Sequence, residues 1–114
     1  MKFKDKTYDD VGVISLKGKL MGRPETDELH DEIKAMLGAK IKKVVLDLED
    51  VQWINSVGVG AVMRGYASVK NSGGVFALAN VTGKVSSILV ITQLSNFFKT
   101  YVDAKEAVAD LKGK

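Results

Sequence analysis

No cysteine occurs among the 114 residues, so disulfides and thiolate metal sites are excluded and a reducing compartment is permitted. No apolar run approaches the roughly 20 residues that span a bilayer. The opening Met1-Lys2-Phe3-Lys4-Asp5-Lys6 is too charged for a secretory signal, and the expected address is the cytoplasm, without membrane insertion. There is one histidine, His30, and no nucleophile that the sequence pairs with it. No Gly-Lys-Ser/Thr occurs, and Gly58-x-Gly60 lacks the third glycine of the dinucleotide spacing, which argues against the common nucleotide loops. The acids Asp47, Glu49 and Asp50 have no calcium-loop spacing and read as solvated positions. No enzyme, cofactor or metal is expected.

What is present is a chain long enough to bury one core and too short for two ordinary domains, read as a single domain over residues 1–114. Hydrophobic residues make up 46% and charged residues 27%, the balance of a globular protein rather than a disordered one. A net charge of +3 raises the question of nucleic acid, but the lysines are dispersed and no stacking platform or reader motif accompanies them. Direct nucleic-acid binding is not expected.

Phe3–Thr7 and Val11–Leu20 alternate with a period of two and read as strands joined through Tyr8-Asp9-Asp10. From Pro24 to Leu37, Leu29, Ile33, Met36 and Leu37 share a helical face; acids fill the first turn and Gly38 ends the helix. Lys43–Leu48 is a β-branched central strand, Glu49–Asn55 a loop, and Ser56–Ser72 a helix closed by Gly73-Gly74. Val75–Leu78 returns as a strand, making a right-handed βαβ unit. Thr82 is placed to cap a helix through Val85, Ile88 and Leu89, followed by a core-anchoring turn at Leu94, Phe97 and Phe98. A short edge strand over Thr100–Val102 and a last helix, opened by Asp103 with Glu106, complete the chain. The fold class is α/β, with four or five strands in the order β-β-α-β-α-β-α-β-α and about four helices.

Trp53-Ile54-Asn55-Ser56-Val57-Gly58-Val59-Gly60 lies between a buried strand and a helix. The first amides of a helix lack intrahelical partners and carry partial positive charge, so an anion is welcome there. Gly58 and Gly60 have no side chain to keep another molecule from the backbone. A phosphate on Ser56 would meet a receptive terminus while adding about 1.5 to 2 negative charges. Ser56 as a plain helix cap is the competing reading. Trp53 reads as core or half-buried, with a partner anchor as the alternative.

Three ordered segments, Val44–Leu48 with Val51, Ile54–Gly60, and Gly73–Val81, resemble the core of STAS domains. Gly18-Lys19-Leu20, and Val85, Ile88, Leu89, Thr92, Leu94 and Phe98, extend the resemblance over essentially the whole chain. It implies a mixed sheet flanked by helices and the role of an anti-sigma-factor antagonist. Such a protein binds an anti-sigma factor that is also a serine kinase of the GHKL type, until phosphorylation of a serine, here Ser56, ends the interaction. The partner-facing residues it implies are Met21, Gly22, Asn55, Ser56, Val57, Gly58, Val59 and Arg64. The family usually has Asp where this chain has Asn55, and often Asp where it has Met21, so the surroundings of Ser56 are less acidic here. The alternative is a STAS module serving as a scaffold or as a soluble subunit of a transport or signalling complex. Self-association stays open.

Overall fold

A computed structural model describes residues 2–114. The elements follow as β1 (Lys2–Tyr8), β2 (Val11–Leu20), α1 (Glu25–Gly38), β3 (Lys43–Ile54), α2 (Ser56–Asn71), β4 (Val75–Ala79), α3 (Gly83–Ile91), β5 (Lys99–Tyr101) and α4 (Ala104–Leu111). They form one mixed sheet in the order β1-β2-β3-β4-β5, matching the expected class. β1 is antiparallel to β2, and every later pair is parallel.

Strand order equals chain order, so each crossover from β2 onward moves one strand in the same direction. Right-handed connections of that kind must all lie on one face. Accordingly α1, α2 and α3 share a single core with one side of the sheet: Leu29, Ile33 and Met36, Val59 and Val62, then Val85 and Leu89, against Ile14, Leu16, Leu46 and Leu78. The other side is smaller in every respect. Val11, Val13, Val45, Ala77 and Ala79 meet Ala107 and Leu111 of α4, the one helix whose buried side chains lie there. The alternation read in β2 is thus realised, with Val13 in one core and Ile14 in the other.

Several boundaries differ from expectation for identifiable reasons. Glu49–Asn55 is not a loop, because β3 continues to Ile54, with Asp50, Val51, Trp53 and Ile54 paired to β2. β4 pairs only with Lys43–Asp47, so the second half of β3 has one neighbour and stays largely solvated. Its polar composition hid a strand. Pro24 stands just outside α1 and Gly38 within it; the left-handed residue past the end is Lys40 (φ 64). Thr82 occupies the cap position of α3 without a side-chain cap bond, whereas Asp103 does cap α4, accepting from the Glu106 amide at 2.8 Å. β5 starts one residue early and leaves Val102 exposed. Phe98 is buried as expected, but nearly half of Phe97 is exposed, its ring edge-on against Tyr66 and Phe98.

Candidate functional site

The residues singled out around Ser56 converge at the carboxyl ends of β2 and β3. Leu20 and Ile54 are the last paired residues of these neighbouring strands. Met21 and Gly22 follow the first, Asn55 and Ser56 the second. Thr82 and Lys84 follow β4 on the next strand over.

Asn55, not Ser56, caps α2. Its Oδ1 accepts from the Gly58 amide at 3.0 Å, and its carbonyl accepts from Val59 N, also at 3.0 Å. The Asn55 Nδ2 donates to the Met21 carbonyl at 3.2 Å, fastening the β2–α1 loop to the start of α2. The Gly22 carbonyl accepts from Thr26 N and ties that loop into α1. Ser56 is therefore the first helical residue, exposed, with its hydroxyl outside the cap. Its own amide and that of Val57 precede the first intrahelical bond and leave the positive end of the helix dipole open.

The same ends of β2, β3 and α2 leave three apolar side chains exposed, here called the collar: Met21 is 44% exposed, Trp53 48% and Val57 55%. Ser56, Gly60 and Arg64, spaced four apart, continue one exposed stripe along α2. Two residues expected on this surface lie beneath it. Val59 is only 4% exposed and packs in the larger core. Gly58 is buried, and a Cβ there would stand 2.0 Å from the Leu20 carbonyl oxygen, so the missing side chain serves the contact between α2 and β2, not an incoming molecule. Gly60 alone keeps the open approach expected of both, with nothing within 4 Å of a Cβ.

Trp53 is a correction in the other direction: it is exposed, and Lys84 Nζ sits 3.0 Å from its ring centroid. The pair joins β3 to the start of α3 by a cation–π contact. Reading β3 through to Ile54 would have placed Trp53 in a thinly covered strand; nothing local points to Lys84. Asp47, expected to be solvated, is half-buried and accepts from Asn80 Nδ2 at 2.8 Å and Ser15 Oγ at 3.4 Å. Among the described residues no group of three or more His, Cys, Asp or Glu side chains is arranged to hold a metal, and no helix is long and apolar enough to cross a membrane.

Open α/β sheets usually bind small ligands where strand order reverses and neighbouring connections part to opposite faces. Here the connections part only after β4 and β5, α3 to one face and α4 to the other, where Val81, Thr82, Tyr101 and Glu106 line a cleft of about 380 Å³; the ends of β2 and β3 beside Ser56 form an open surface. The arrangement suits contact with another macromolecule.

Comparison with known proteins agrees with this architecture. The STAS domain family model matches residues 2–107. A Thermotoga maritima protein with the provisional name of anti-sigma factor antagonist is 35% identical over 72 residues, which span 63% of this chain and 64% of the relative. A crystal structure of a T. maritima protein bearing the same provisional description superposes with a TM-score of 0.79 at 29% identity, covering 96% of this chain and 93% of that one. The anti-sigma factor antagonist SpoIIAA, in its unphosphorylated form, shares the fold at a TM-score of 0.75 and 20% identity, over 99% and 100% of the two chains; a phosphorylated form from Bacillus is also solved. On the family match over most of its length, carried by this five-stranded fold, the chain belongs to the STAS domain family.

Proposed function

We propose that this chain is an anti-sigma-factor antagonist, a cytoplasmic binding module without enzymatic activity of its own. In this reading it docks an anti-sigma factor that is also a GHKL-type serine kinase, through Met21, Trp53, Val57 and the exposed stripe of α2. Phosphorylation of Ser56 ends the complex. The observation that carries the reading is the setting of Ser56: an exposed hydroxyl outside the cap, at a helix amino terminus, at the sheet edge that also exposes the collar residues Met21, Trp53 and Val57. The helix terminus tolerates added negative charge, so the fold persists. The collar does not, because docking would desolvate about 1.5 to 2 charges against apolar side chains. Family membership and the relatives' names support the same role.

Incubation with a cognate GHKL-type serine kinase and ATP is expected to add one phosphate, absent in Ser56→Ala. Ser56→Asp is expected to lower partner affinity by at least about tenfold, about 1.4 kcal/mol, while leaving stability within about 1 kcal/mol of the parent. Phosphate on another residue, or unchanged affinity in the Asp variant, would refute the mechanism.

A further inference from the structure

We propose that the face of the sheet opposite α1–α3 holds a second binding site, for a single anionic amphiphile with an aliphatic body and a carboxylate head. The topology creates the vacancy. Because every crossover lies on the other face, α4 alone covers this one, and its 8 residues reach about 12 Å. It packs on β2 through β5. Between α4 and the β1 edge remains a cavity of about 600 Å³, within the range of small-molecule sites.

Its lining is divided by chemistry. Val13 from the sheet, with Ala104, Val108 and Ala109 from α4, supplies an aliphatic wall. Lys4 and Lys6 stand on one bank, Lys105 and Lys112 on the other. All four are exposed, and among the described residues none forms an ion pair; the acids that take lysine partners are Asp10 and Asp110. The lysines of β1 face this way by register: Lys4 pairs with Ser15 and Lys6 with Val13, whose side chain lies in the α4 core. One acid, Asp47, lines the groove, and its carboxylate already accepts from Asn80, Ser15 and the Glu49 amide. Four ammonium groups against one satisfied carboxylate select an anion.

The remaining polar groups are the Tyr8 and Ser15 hydroxyls; the first turn of α4, at Ala104 and Lys105, borders the groove but is already capped by Asp103, and no glycine-rich loop joins it to make the backbone cradle a polyphosphate uses. A carboxylate bridging opposed lysines, with its chain along the wall, satisfies both parts of the lining. Concavity favours one enclosed molecule over a flat membrane surface, onto which a recessed aliphatic wall cannot lie.

The test is titration of the full chain with dodecanoate below its micelle concentration, followed by calorimetry and by methyl NMR shifts of Val13, Ala104 and Val108. Saturable one-to-one binding is expected, with those methyls shifting and with dodecanol and acetate each at least about tenfold weaker. Lys4→Glu combined with Lys105→Glu, which touches only exposed side chains, is expected to weaken binding by at least about tenfold with the circular dichroism spectrum unchanged. Val108→Phe, filling the groove, is expected to do the same. Absence of saturable binding, binding indifferent to the charge reversals, or binding only to phosphatidylglycerol-containing vesicles and not to monomeric dodecanoate would overturn the assignment. None of these outcomes touches Ser56, so the two proposals stand or fall separately.

Discussion

Asn55 donates its side-chain amide to the main-chain carbonyl of Met21, 34 residues earlier in the sequence, at 3.2 Å. Asn55 and Met21, the two positions that the resemblance marks as less acidic than expected, are therefore hydrogen-bonded neighbours. Asn55 holds the helix with its oxygen and the loop with its nitrogen, a division no carboxylate can copy, since an ionised Asp only accepts. Asn55→Ala is expected to cost about 1 to 2 kcal/mol by urea denaturation. Asn55→Asp should recover most of that loss by keeping the cap, yet still bind the partner more weakly than the parent, because Met21 is no longer fastened. Equal stability of the Ala and Asp variants would show that the oxygen does not cap α2.

Gly58 and Gly60 are expected to respond to alanine with opposite signs. At Gly58 the new methyl meets the Leu20 carbonyl, a backbone atom that cannot step aside, and a loss of about 2 kcal/mol or more is expected. At Gly60 the space is open, so the gain in helix propensity, up to about 1 kcal/mol, should appear as a raised Tm. Thermal unfolding of the two variants side by side decides the matter; a destabilised Gly60→Ala would mean that α2 lies closer to its surroundings than described.

Trp53 is the only tryptophan and half of it faces solvent. Its emission is expected at the long wavelengths of a hydrated indole and should move to shorter ones when a partner covers the collar. Trp53→Ala should change stability by less than about 1 kcal/mol while weakening partner binding by more than about tenfold, as a hot-spot aromatic does. A large loss of stability with unchanged affinity would assign Trp53 to the fold instead.

Stability should also depend on pH through Glu32. Hydrogen bonding with Asp5, followed by partial burial and the nearby Asp5, Asp31 and Glu28 charges, raises its pKa from 4.5 to about 7. The folded state thus holds a proton that the unfolded chain releases. The stabilisation is complete below pH 4.5 and is lost as pH rises through 7. With solvent screening the effect should be about 1 kcal/mol or less. Glu32→Gln should remove this slope, measured as the change in urea midpoint between about pH 5 and about pH 8, a span that covers most of the interval from 4.5 to about 7. A slope unchanged in the variant would exclude the Asp5–Glu32 pair as its source.

Much of this architecture was legible because its signals are local. Period-two alternation in β2, the apolar face of α1, the β-branched start of β3 and the Asp103–Glu106 pairing each act within a few residues. What escaped depends on distant neighbours. The second half of β3 is a strand only because β2 lies beside it, and its exposed composition imitates a loop. Gly58 looked like an opening for a partner, and only the position of Leu20 makes it an internal contact. Val59, within the same motif, points inward because α2 begins at Ser56. The family pattern marks a segment, and the helix phase decides which of its residues reach solvent.

The identity of strand order and chain order bears on how the protein is made. No strand has to be inserted between two that are already paired, since each joins the free edge of what precedes it. Synthesis runs from the amino terminus, so a growing chain can lay down β1 and β2, then add each helix and strand as it emerges. Apart from the outer edge of β1, the edge left unpaired at each stage is the one the next segment occupies, which shortens the time that growing edge stays open to a neighbouring nascent chain.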